Sequence, residues 1–504
     1  MSDWKPFVDD LTERQAAARA MGGPERLARH REGGRLDARE RVDQLLDPGS
    51  FVELGTLVGS VQRGVTPPAP ADALVAGHGL IDGRPVLVGA EDFTVMGGSI
   101  GHGTTAKRQR LAELARQERV PLVMLLEGAG ERAQNAFERR AYAPNDLQTL
   151  ARISGLVPTV CVVMGASAGH SALTTPLMDF VVMVEGGALF AAGPPIVKAS
   201  IGEDATKEEL GGTAVHTVVS GVAHNAAPDD TTALALVRRY LSYFPSNAWE
   251  HPPARSGDDA HPRPVPELAD LIPPDPRAVY DIRPVIESVC DSGSVLEIQP
   301  AFGRTVVLAL ARLGGTSIAV VANQPAVKAG SIDADGANKA VHLLGVADAF
   351  HLPVVFLTDN PGVLAGTVAE RSGVLRHGAR MFAAQARLRS PKLHVTLRKA
   401  YGFGSSLMAM NPFDEQTIAL TLPGARLAAM PADSGAAAAG LEADAQGALE
   451  HAELGGAIGA ADTLSYDEVV EPAALRDALL AALRLTSARR RAPVGPATHH
   501  TILP

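Results

Sequence analysis

The sequence predicts an α/β protein made of two tandem domains related by internal duplication. Residues 158–178 and residues 391–408 share one plan, in which a proline is followed by an apolar strand, a glycine turn and a helix that begins with small residues. Gly169 and Gly402, the glycines of the two turns, are 233 residues apart, and two earlier strand units repeat at an offset of 232 residues. Chance matches would drift in spacing, so this constant register indicates that one domain has been copied.

Composition narrows the class of protein. The chain has 504 residues, 46% of them hydrophobic, and a formal net charge of −10, which is typical of a large globular protein and argues against a nucleic-acid scaffold. Two basic patches, Arg108 with Arg110 and the run Arg489–Arg491, are either phosphate contacts or solvated faces. We interpret the second run as solvated.

Cysteine usage and hydropathy bear on metal content and location. Cys161 and Cys290 are the two cysteines, which fits a reducing compartment and provides neither a disulfide framework nor a four-thiolate zinc site. No metal is implied. The first 15 residues lack the apolar core of a secretory signal, and no segment approaches the roughly 18 uninterrupted apolar residues of a membrane span. We therefore expect a cytoplasmic protein.

The first elements are predicted to form a collar. A charged helix is expected over residues 9–31, and Asp37 is placed to cap a second helix. Residues 72–96 alternate short apolar runs with glycine turns, as strands and hairpins do. The glycine-rich segment 97–103 leads into a helix over 107–118, but it has the spacing of neither the dinucleotide fingerprint nor the P-loop. We do not expect a specific nucleotide site there.

A further strand ends in another glycine turn. Residues 123–126 form an apolar run, and the segment 127–132, Glu-Gly-Ala-Gly-Glu-Arg, follows it. Its glycines either let the backbone approach a ligand closely or form an ordinary left-handed turn. Its two glutamates are candidates for acid–base chemistry, although glutamates beside an arginine are more often ion-paired surface groups.

The central stretch places backbone donors at the end of a strand. Residues 160–164, Val-Cys-Val-Val-Met, predict a strand that is buried on both faces. Gly165 and Gly169 bracket a turn of small residues, and a helix begins at His170. Backbone N–H groups at a helix start lack partners inside the helix, so two copies of this turn predict two oxyanion holes. A reaction with two enolates would need such a pair.

The same turn matches a hydrolase motif. Gly165 to Gly169 has the pattern Gly-x-Ser-x-Gly, preceded by a strand and followed by a helix, with Ser167 as the candidate nucleophile. The duplicated turn has Ala400 at the corresponding position, and no HGGG-type loop precedes the motif. The two copies therefore share a glycine and not a hydroxyl. His170 is a candidate base, but a lone histidine at a helix start is more often structural.

The two halves are joined by a proline-rich segment. Nine prolines and few large apolar residues lie between Pro245 and Pro276, which predicts an extended connection without a packed core. We accordingly divide the chain into a domain of residues 1–260 and a domain of residues 261–504. The second half repeats the order of strands, glycine turns and helices seen in the first. It then becomes rich in glycine and alanine, which are too small to pack strongly. An amphipathic helix over 472–485 closes the chain.

Several segments, taken in order, carry a family resemblance. The segments are LDARERVDQLLDPGSFVELG from Leu36, EDFTVMGGSIG from Glu91, GPPIVKASIGEDATKEELGG from Gly193, HTVVSGVAH from His216, VANQPAVKAGSID from Val321, GVLRHGA from Gly373 and RKAYG from Arg398. On these segments the chain resembles the carboxyltransferase β subunits of biotin-dependent acyl-CoA carboxylases, the family of propionyl-CoA and methylcrotonoyl-CoA carboxylases. That family has two crotonase-like (ClpP/crotonase) domains in each chain, in agreement with the duplication found from spacing.

The resemblance implies a reaction and a set of site residues. CO2 would pass from carboxybiotin to the α or vinylogous carbon of an acyl-CoA thioester, with the biotin enolate taking the α-proton. The first domain would hold the thioester oxygen, and the second the ureido oxygen of biotin. The implied N–H donors are those of His170 and Ser171 in the first domain and of Gly404 and Ser405, or a neighbour, in the second. The implied binding residues are Gly98, Gly128, Ala129, Gly130 and Gly169 for acyl-CoA, and Tyr401, Gly402, Phe403 and Ser406 for biotin.

The resemblance also implies partners. Nothing in the sequence resembles a biotin-accepting Met-Lys-Met segment or an ATP-grasp phosphate loop, so biotin would be carried and carboxylated by another polypeptide, a biotin carboxylase and biotin carboxyl carrier α subunit. By resemblance, the facing turns come from different subunits of a dimer, and dimers assemble into a hexamer.

The turns depart from the commoner family sequence, and alternatives remain. The acyl turn has Gly169-His170-Ser171 where Gly-Gly-Ala is common, and Gly402-Phe403-Gly404 stands where Gly-Gly-Ala follows the tyrosine. The acyl-CoA and the second donor pair are left open. The alternatives are a serine hydrolase, a noncatalytic assembly subunit and a biotin-dependent acyl-CoA decarboxylase subunit.

Overall fold

The chain forms two compact units that divide between Ser242 and Tyr243 in the computed structural model. The structure describes residues 3–62, 64, 67–138, 145–255, 259, 261–410 and 414–497. Each unit is built on one mixed sheet, and each is described separately below.

The first unit contains eight strands and ten α-helices within the described residues. Its strands are β1 (Val52–Glu53), β2 (Leu74–Ile81), β3 (Arg84–Glu91), β4 (Leu122–Gly128), β5 (Thr159–Ala168), β6 (Phe180–Val184), β7 (Ala188–Phe190) and β8 (Asn225–Ala227). Its helices are α1 (Lys5–Arg19), α2 (Pro24–Arg31), α3 (Ala38–Leu45), α4 (His102–Glu118), α5 (Asn135–Glu138), α6 (Asp146–Ile153), α7 (His170–Thr174), α8 (Pro194–Ile201), α9 (Lys207–Gly211) and α10 (Asp230–Leu241).

The second unit has the same number of each in its described part. Its strands are β9 (Leu296–Ile298), β10 (Val306–Leu313), β11 (Thr316–Asn323), β12 (Val354–Asn360), β13 (Lys392–Tyr401), β14 (Ile418–Thr421), β15 (Arg426–Ala428) and β16 (Glu468–Val469). Its helices are α11 (Leu268–Leu271), α12 (Arg283–Val289), α13 (Ala334–Ala349), α14 (Thr367–Arg371), α15 (Val374–Ala386), α16 (Gly402–Leu407), α17 (Ala432–Ala439), α18 (Ala443–Leu454), α19 (Gly456–Asp462) and α20 (Leu475–Leu485).

The two sheets have one topology. The first has the strand order β1-β2-β3-β4-β5-β6-β8 with β7 paired to the end of β5, and the second has the order β9-β10-β11-β12-β13-β14-β16 with β15 paired to β13. In both, the first three strands are antiparallel and the rest are parallel. The register of β4 against β5 shifts between Leu126 and Gly128, and that of β12 against β13 shifts between Thr358 and Asn360. The predicted fold class is therefore confirmed.

The central strands are buried on both faces, as their apolar runs predicted. Val160, Cys161, Val162 and Val163 are fully buried, and helices cover the sheet on either side. A parallel arrangement brings the carboxyl ends of β3, β4 and β5 to one edge of the first sheet. The segments that follow these three strands therefore meet at that edge, where the site lies.

The proline-rich connection packs more closely than its composition predicted. Val265, Leu268 and Ile272 are buried in the hydrophobic core of the second unit together with residues of β10 and β11. These three apolar residues are enough to anchor the segment, although prolines surround them. The units divide at Ser242, before the segment, whereas composition placed the boundary at residue 260, which lies outside the described residues.

The helices at the two termini differ in detail from the prediction. The charged helix expected over residues 9–31 is two helices, α1 and α2, because Gly23 adopts a φ of 87° between them. Asp37 caps α3 as predicted, and its carboxylate accepts from the N–H groups of Arg39 and Glu40. The closing helix is α20.

Candidate active site

The first predicted turn is shorter than expected, because β5 continues through Gly165 to Ala168, and only Gly169 turns the chain to place two backbone donors at the end of the strand. Gly169 follows the strand with φ 58° and ψ −118°, a conformation that residues with a Cβ rarely adopt. Its own N–H donates to the carbonyl oxygen of Phe190 at 3.1 Å, which fixes the turn against β7. Helix α7 then begins at His170, so the N–H groups of His170 and Ser171 belong to its first turn, where a helix offers no internal acceptor.

The segments after β3 and β4 pack against this turn. The Ala129 N–H donates to the Gly97 carbonyl oxygen at 3.0 Å. A Cβ on Gly98 would collide with the Glu127 carbonyl oxygen, and a Cβ on Gly130 would lie 2.9 Å from the Ala168 carbonyl oxygen. The structure therefore brings the five predicted acyl-CoA-binding residues together at one edge of the sheet, and close packing requires glycine at Gly98 and Gly130.

A buried ionic network supports the acyl turn. Glu91, at the end of β3, accepts from Ser171 Oγ at 2.5 Å and from the Arg108 guanidinium at 3.0 Å. Arg108 also donates to Asp146 Oδ2 at 2.9 Å, and Asp146 Oδ1 lies 2.5 Å from His170 Nε2. The chain Glu91–Arg108–Asp146 thus holds the side chains of both residues whose N–H groups form the predicted hole.

The network is charged and closed to water. Glu91 and Arg108 are essentially unexposed, and burial raises the pKa of the Glu91 carboxyl although Arg108 opposes the shift. Burial also disfavours the Asp146 carboxylate, but Arg108 and His170 outweigh it and lower the pKa of Asp146 to about 2. Asp146 therefore stays ionised, and its charge is available to orient the imidazole.

Two predictions for charged residues are corrected here. Arg108, considered as a phosphate contact or a solvated residue, is buried and fully engaged in the network. Glu127, expected to be an ion-paired surface group, is 1% exposed and pairs with Arg41 at 2.6 Å and Arg35 at 2.8 Å. Arg108 lies on α4, and Glu127 lies near the end of β4, a strand that is buried along its whole length, whereas Glu131 is exposed.

Ser167 does not have the geometry of a nucleophile. It lies inside β5, paired with Gly128 and Leu189 of the neighbouring strands, and is 0% exposed. Its Oγ has no hydrogen-bond partner among the described residues. A nucleophile elbow requires an exposed serine at the turn beside a base, so the serine hydrolase alternative is wrong.

The second predicted turn follows β13 in the other unit. Gly402 adopts a φ of 56°, close to the 58° of Gly169, and α16 begins at this residue. Gly404 lies against the next loop, since a Cβ there would be 2.7 Å from the Gly362 Cα and 2.8 Å from Asn360 Oδ1. Ser405 Oγ donates to the Gly402 carbonyl oxygen at 2.6 Å, which closes the turn.

The side chains around the second turn divide into supporting and exposed groups. Tyr401 is 3% exposed and its hydroxyl donates to Glu453, so it supports the turn from the protein side. The Ser406 carbonyl oxygen accepts from Gln385 at 3.2 Å. Phe403 is 57% exposed and presents an apolar face beside the turn.

The repeat offset relates the donors of the two turns. At 233 residues, His170 and Ser171 correspond to Phe403 and Gly404, one residue earlier than the pair Gly404 and Ser405. Beneath the second turn, Asn323 takes the place of Glu91, and its Oδ1 accepts from the Asp359 N–H at 3.2 Å as Glu91 accepts from the Glu127 N–H at 2.9 Å. A neutral amide thus replaces the buried carboxylate in the second copy.

A basic cavity that the sequence did not predict lies beside the segment after β3, where the Gly97 carbonyl oxygen accepts from the Ala129 N–H. It measures about 530 Å³ and is lined by Arg26, Arg29, His30 and Arg35 together with residues of the loop that contains Gly97. Arg35 pairs with Glu127, and Arg26 donates to the Thr94 carbonyl oxygen at 3.3 Å. Arg26, Arg29 and His30 lie on one face of α2. Their spacing in the sequence indicates this basic face, but we interpret the segment there only as part of a collar.

The described residues contain neither a metal-binding cluster nor a membrane-spanning helix. No group of three or more His, Cys, Asp or Glu side chains there is arranged to hold a metal ion. No helix in the same part of the chain is both long enough and apolar enough to cross a bilayer.

Comparison with known proteins gives consistent matches. The model of the carboxyl transferase domain family matches residues 29–501. The chain is 34% identical over 502 residues to the carboxyltransferase subunit of propionyl-CoA carboxylase from Haloferax mediterranei, with 96% of each chain covered. It is 35% identical over 505 residues to the alpha subunit of methylmalonyl-CoA decarboxylase from Veillonella parvula, covering 96% of this chain and 97% of the other.

A solved structure matches over the full length. The crystal structure of transcarboxylase 12S, a hexamer with methylmalonyl-coenzyme A and methylmalonic acid bound, has a TM-score of 0.90 and 32% sequence identity. All of both chains is covered.

Proposed function

The chain belongs to the carboxyl transferase domain family and is a carboxyltransferase acting on acyl-CoA; from this premise we propose that it works through two backbone oxyanion holes, one in each unit. The observation that carries the proposal is the repetition of one glycine turn, with a φ of 58° at Gly169 and 56° at Gly402, at the ends of corresponding strands. Two turns of one geometry fit a reaction in which two oxygens become negative.

In the first unit, the N–H groups of His170 and Ser171 receive the thioester oxygen. Removal of the α-proton places negative charge on that oxygen, and donors already aimed at it stabilise the transition state without reorganisation, each by about 3 kcal/mol. The side chains of both residues are held by Asp146 and Glu91, so the helix start is kept in position. Catalysis then depends on backbone and not on the imidazole or the hydroxyl.

In the second unit, the N–H group of Gly404 binds the ureido oxygen of biotin, together with that of Phe403 or Ser405. Carboxybiotin, presented by a partner protein, supplies the carboxyl group. The residues present fit this ligand: the first turn of α16 offers N–H groups, and Phe403 offers an exposed aromatic face to an apolar ring system. The repeat register favours Phe403 as the second donor because it corresponds to His170.

The basic cavity receives the phosphate groups of coenzyme A. Arginine guanidinium groups match phosphate oxygens in charge and geometry, and this cavity includes Gly97, whose carbonyl oxygen accepts from the N–H of Ala129, a predicted acyl-CoA-binding residue. Arg26 and Arg29 line the cavity and would bind the phosphates there, while the thioester would lie at the Gly169 turn. This arrangement assigns the acyl-CoA to the first unit.

The chain functions as a homo-oligomer, and we extend this to dimers that share sites within a hexamer. Transcarboxylase 12S, whose fold this chain shares, is a hexamer. A biotin carrier and biotin carboxylase subunit would be a separate polypeptide. Both cysteines are free and buried, which agrees with a cytoplasmic location.

One experiment tests the function and its direction. The purified chain is mixed with carboxylated biotin carrier protein and a panel of acyl-CoA thioesters, and malonyl-type products are measured by mass spectrometry. Biotin-dependent product from at least one thioester supports the proposal. Product from none, with the oligomer intact, contradicts it. The reverse reaction, with methylmalonyl-CoA and free biotin carrier, tests the decarboxylase direction that the Veillonella parvula relative suggests.

A further inference from the structure

A second basic cavity lies in the second unit, away from the Gly402 turn. It measures about 210 Å³ and is lined by His251, His351, residues 389–391, Arg489, Arg490 and residues 493–495. Pro391 immediately precedes β13, whereas the Gly402 turn follows the last residue of that strand. Ten residues of extended strand span about 30 Å, so the cavity and the turn lie near opposite edges of the sheet.

The cavity concentrates positive charge in a protein whose net charge is negative. Arg389, Arg489 and Arg490 all line it. Arg389 pairs with Asp348 at 3.1 Å, and no carboxylate within the described residues pairs with Arg489 or Arg490. The pKa of Arg490 is lowered by burial and by the adjacent Arg491. Two guanidinium groups are therefore left without a counter-ion.

The arginines are fixed in place, yet retain donors. Arg490 donates to Thr486 Oγ1 at 2.9 Å, to the Leu483 carbonyl oxygen at 3.1 Å and to Thr316 Oγ1 at 3.4 Å, and Arg489 donates to the Arg389 carbonyl oxygen. A guanidinium group has five N–H donors, so both side chains keep donors beyond those that hold them. Arg489 and Arg491 are exposed, as the interpretation of this run as solvated predicts, whereas Arg490 is half-buried.

A buried hydroxyl in the wall also lacks a partner. Ser390 is 5% exposed, and its Oγ makes no hydrogen bond to any described residue. The two histidines of the wall, unlike Ser390, have hydrogen-bond partners. His251 Nε2 lies 2.7 Å from the Ala492 carbonyl oxygen, and His351 Nε2 lies 2.8 Å from the Ala248 carbonyl oxygen. A buried unpaired hydroxyl is unfavourable, and because other atoms of Ser390 line the cavity, rotation about its Cα–Cβ bond would turn the Oγ toward a ligand oxygen there.

We propose that this cavity binds a phosphate group, held by Arg489, Arg490 and Ser390. A phosphate carries up to two negative charges near pH 7, which matches two uncompensated guanidinium groups, and its oxygens accept from both arginines and from the serine hydroxyl. The volume of about 210 Å³ is below the roughly 300 Å³ from which drug-sized ligand pockets begin. The cavity therefore takes inorganic phosphate or the phosphate end of a larger ester.

Occupancy would tie the segment after α20 to the start of β13. Arg489, Arg490 and residues 493–495 form one wall, and residues 389–391 form another. A phosphate that bridges the two walls binds only the folded unit, so it raises the stability of this region. This site is independent of the proposed carboxyl transfer, and its test needs neither biotin nor acyl-CoA.

Isothermal titration of the full-length oligomer with inorganic phosphate, at ionic strength held constant with sodium chloride, tests the proposal. Saturable binding by the wild type is expected, weakened at least tenfold in Ser390→Ala and in Arg489→Gln. Arg491→Gln is the matched control, because Arg491 is exposed and lies outside the lining, and it should bind like the wild type. Circular dichroism checks that each variant is folded.

Two outcomes overturn the proposal: no saturable heat with the wild type, or equal phosphate affinity in the wild type, Ser390→Ala and Arg489→Gln. If Arg489→Gln fails to fold, Ser390→Ala decides alone, because it removes one buried oxygen that has no partner in the described structure. A parallel titration with adenosine monophosphate distinguishes the two sources. Tighter binding than inorganic phosphate assigns the site to a phosphate ester, and weaker binding assigns it to free phosphate.

Discussion

His170 Nε2 lies 2.5 Å from Asp146 Oδ1, so the imidazole at the start of α7 is held by an ionised, buried carboxylate. Asp146 is held in turn by Arg108. This contact gives the His170 side chain a structural role at a position where glycine is common in the family that the chain resembles. The imidazole is bound to the protein, and the backbone N–H of the same residue is left to the substrate.

Removing the side chains of the acyl turn should leave most of the catalytic power. If the donors are backbone N–H groups, His170→Ala and Ser167→Ala keep activity within about tenfold of wild type, measured as kcat/KM for the preferred acyl-CoA with a carboxybiotin donor. A loss of several orders of magnitude in folded Ser167→Ala would contradict backbone catalysis. His170→Asn is the control that retains a polar side chain at the helix start.

Replacing the turn glycines should nearly abolish activity. Gly169→Val and Gly402→Val force a branched side chain into a φ near 57° and block close approach of the ligand, so kcat should fall at least a thousandfold. Gly83→Val is the matched control, because Gly83 has a φ of 75° in the β2–β3 hairpin with open space around it. Its similar backbone strain should lower stability but not kcat. Comparable losses in all three variants would indicate strain alone.

Mixing the two glycine variants tests whether sites are shared between subunits. If the acyl turn of one subunit faces the biotin turn of its partner, a dimer of one Gly169→Val chain and one Gly402→Val chain has one site with both turns damaged and one intact site. Co-expression with two affinity tags and isolation of the doubly tagged species should give about half of wild-type activity. An inactive but folded mixed dimer would place each site within one chain.

Acid stability should report on Asp146. Its pKa is about 2 in the folded protein against an ordinary value of 3.8, so its ionised form stabilises the fold by about 2 kcal/mol at pH values above the ordinary value. That contribution is lost as the pH falls from about 4 to about 2. The free energy of urea unfolding should therefore drop less steeply in Asp146→Asn than in wild type over this window. If the free energy of unfolding fell equally steeply with pH in both proteins, the pKa of Asp146 would not be lowered in the folded state.

The basic cavity should affect substrate affinity and not turnover. Arg29→Ala removes a positive charge from the cavity wall, and loss of one charged hydrogen bond to phosphate should raise the KM for acyl-CoA about tenfold with little change in kcat. Arg19→Ala is the control, since Arg19 is an exposed arginine on α1 outside the cavity lining. An unchanged KM in folded Arg29→Ala would move the coenzyme A phosphates elsewhere.

Spacing and glycine identity were enough to predict the duplicated α/β fold and the two turns. A positive φ at a strand end leaves a direct trace in the sequence, because few residues other than glycine adopt it, and Gly169 and Gly402 both do. The short apolar run of residues 160–163 likewise predicted that these residues are buried, and they are. These features depend on residues that are adjacent in the chain.

The rest depended on residues that are distant in sequence. Glu91 ends β3, Arg108 lies on α4 and Asp146 begins α6, so they form one network only because the fold brings these three elements together. Local sequence described Arg108 merely as basic. Ser167 matched a nucleophile motif, but tertiary packing buries it inside β5. In the arginine run after α20, which the sequence indicated as solvated, Arg489 and Arg491 are exposed but Arg490 is half-buried. Burial and pairing of a charge are set by what the fold brings next to it, which residue type and spacing alone do not encode.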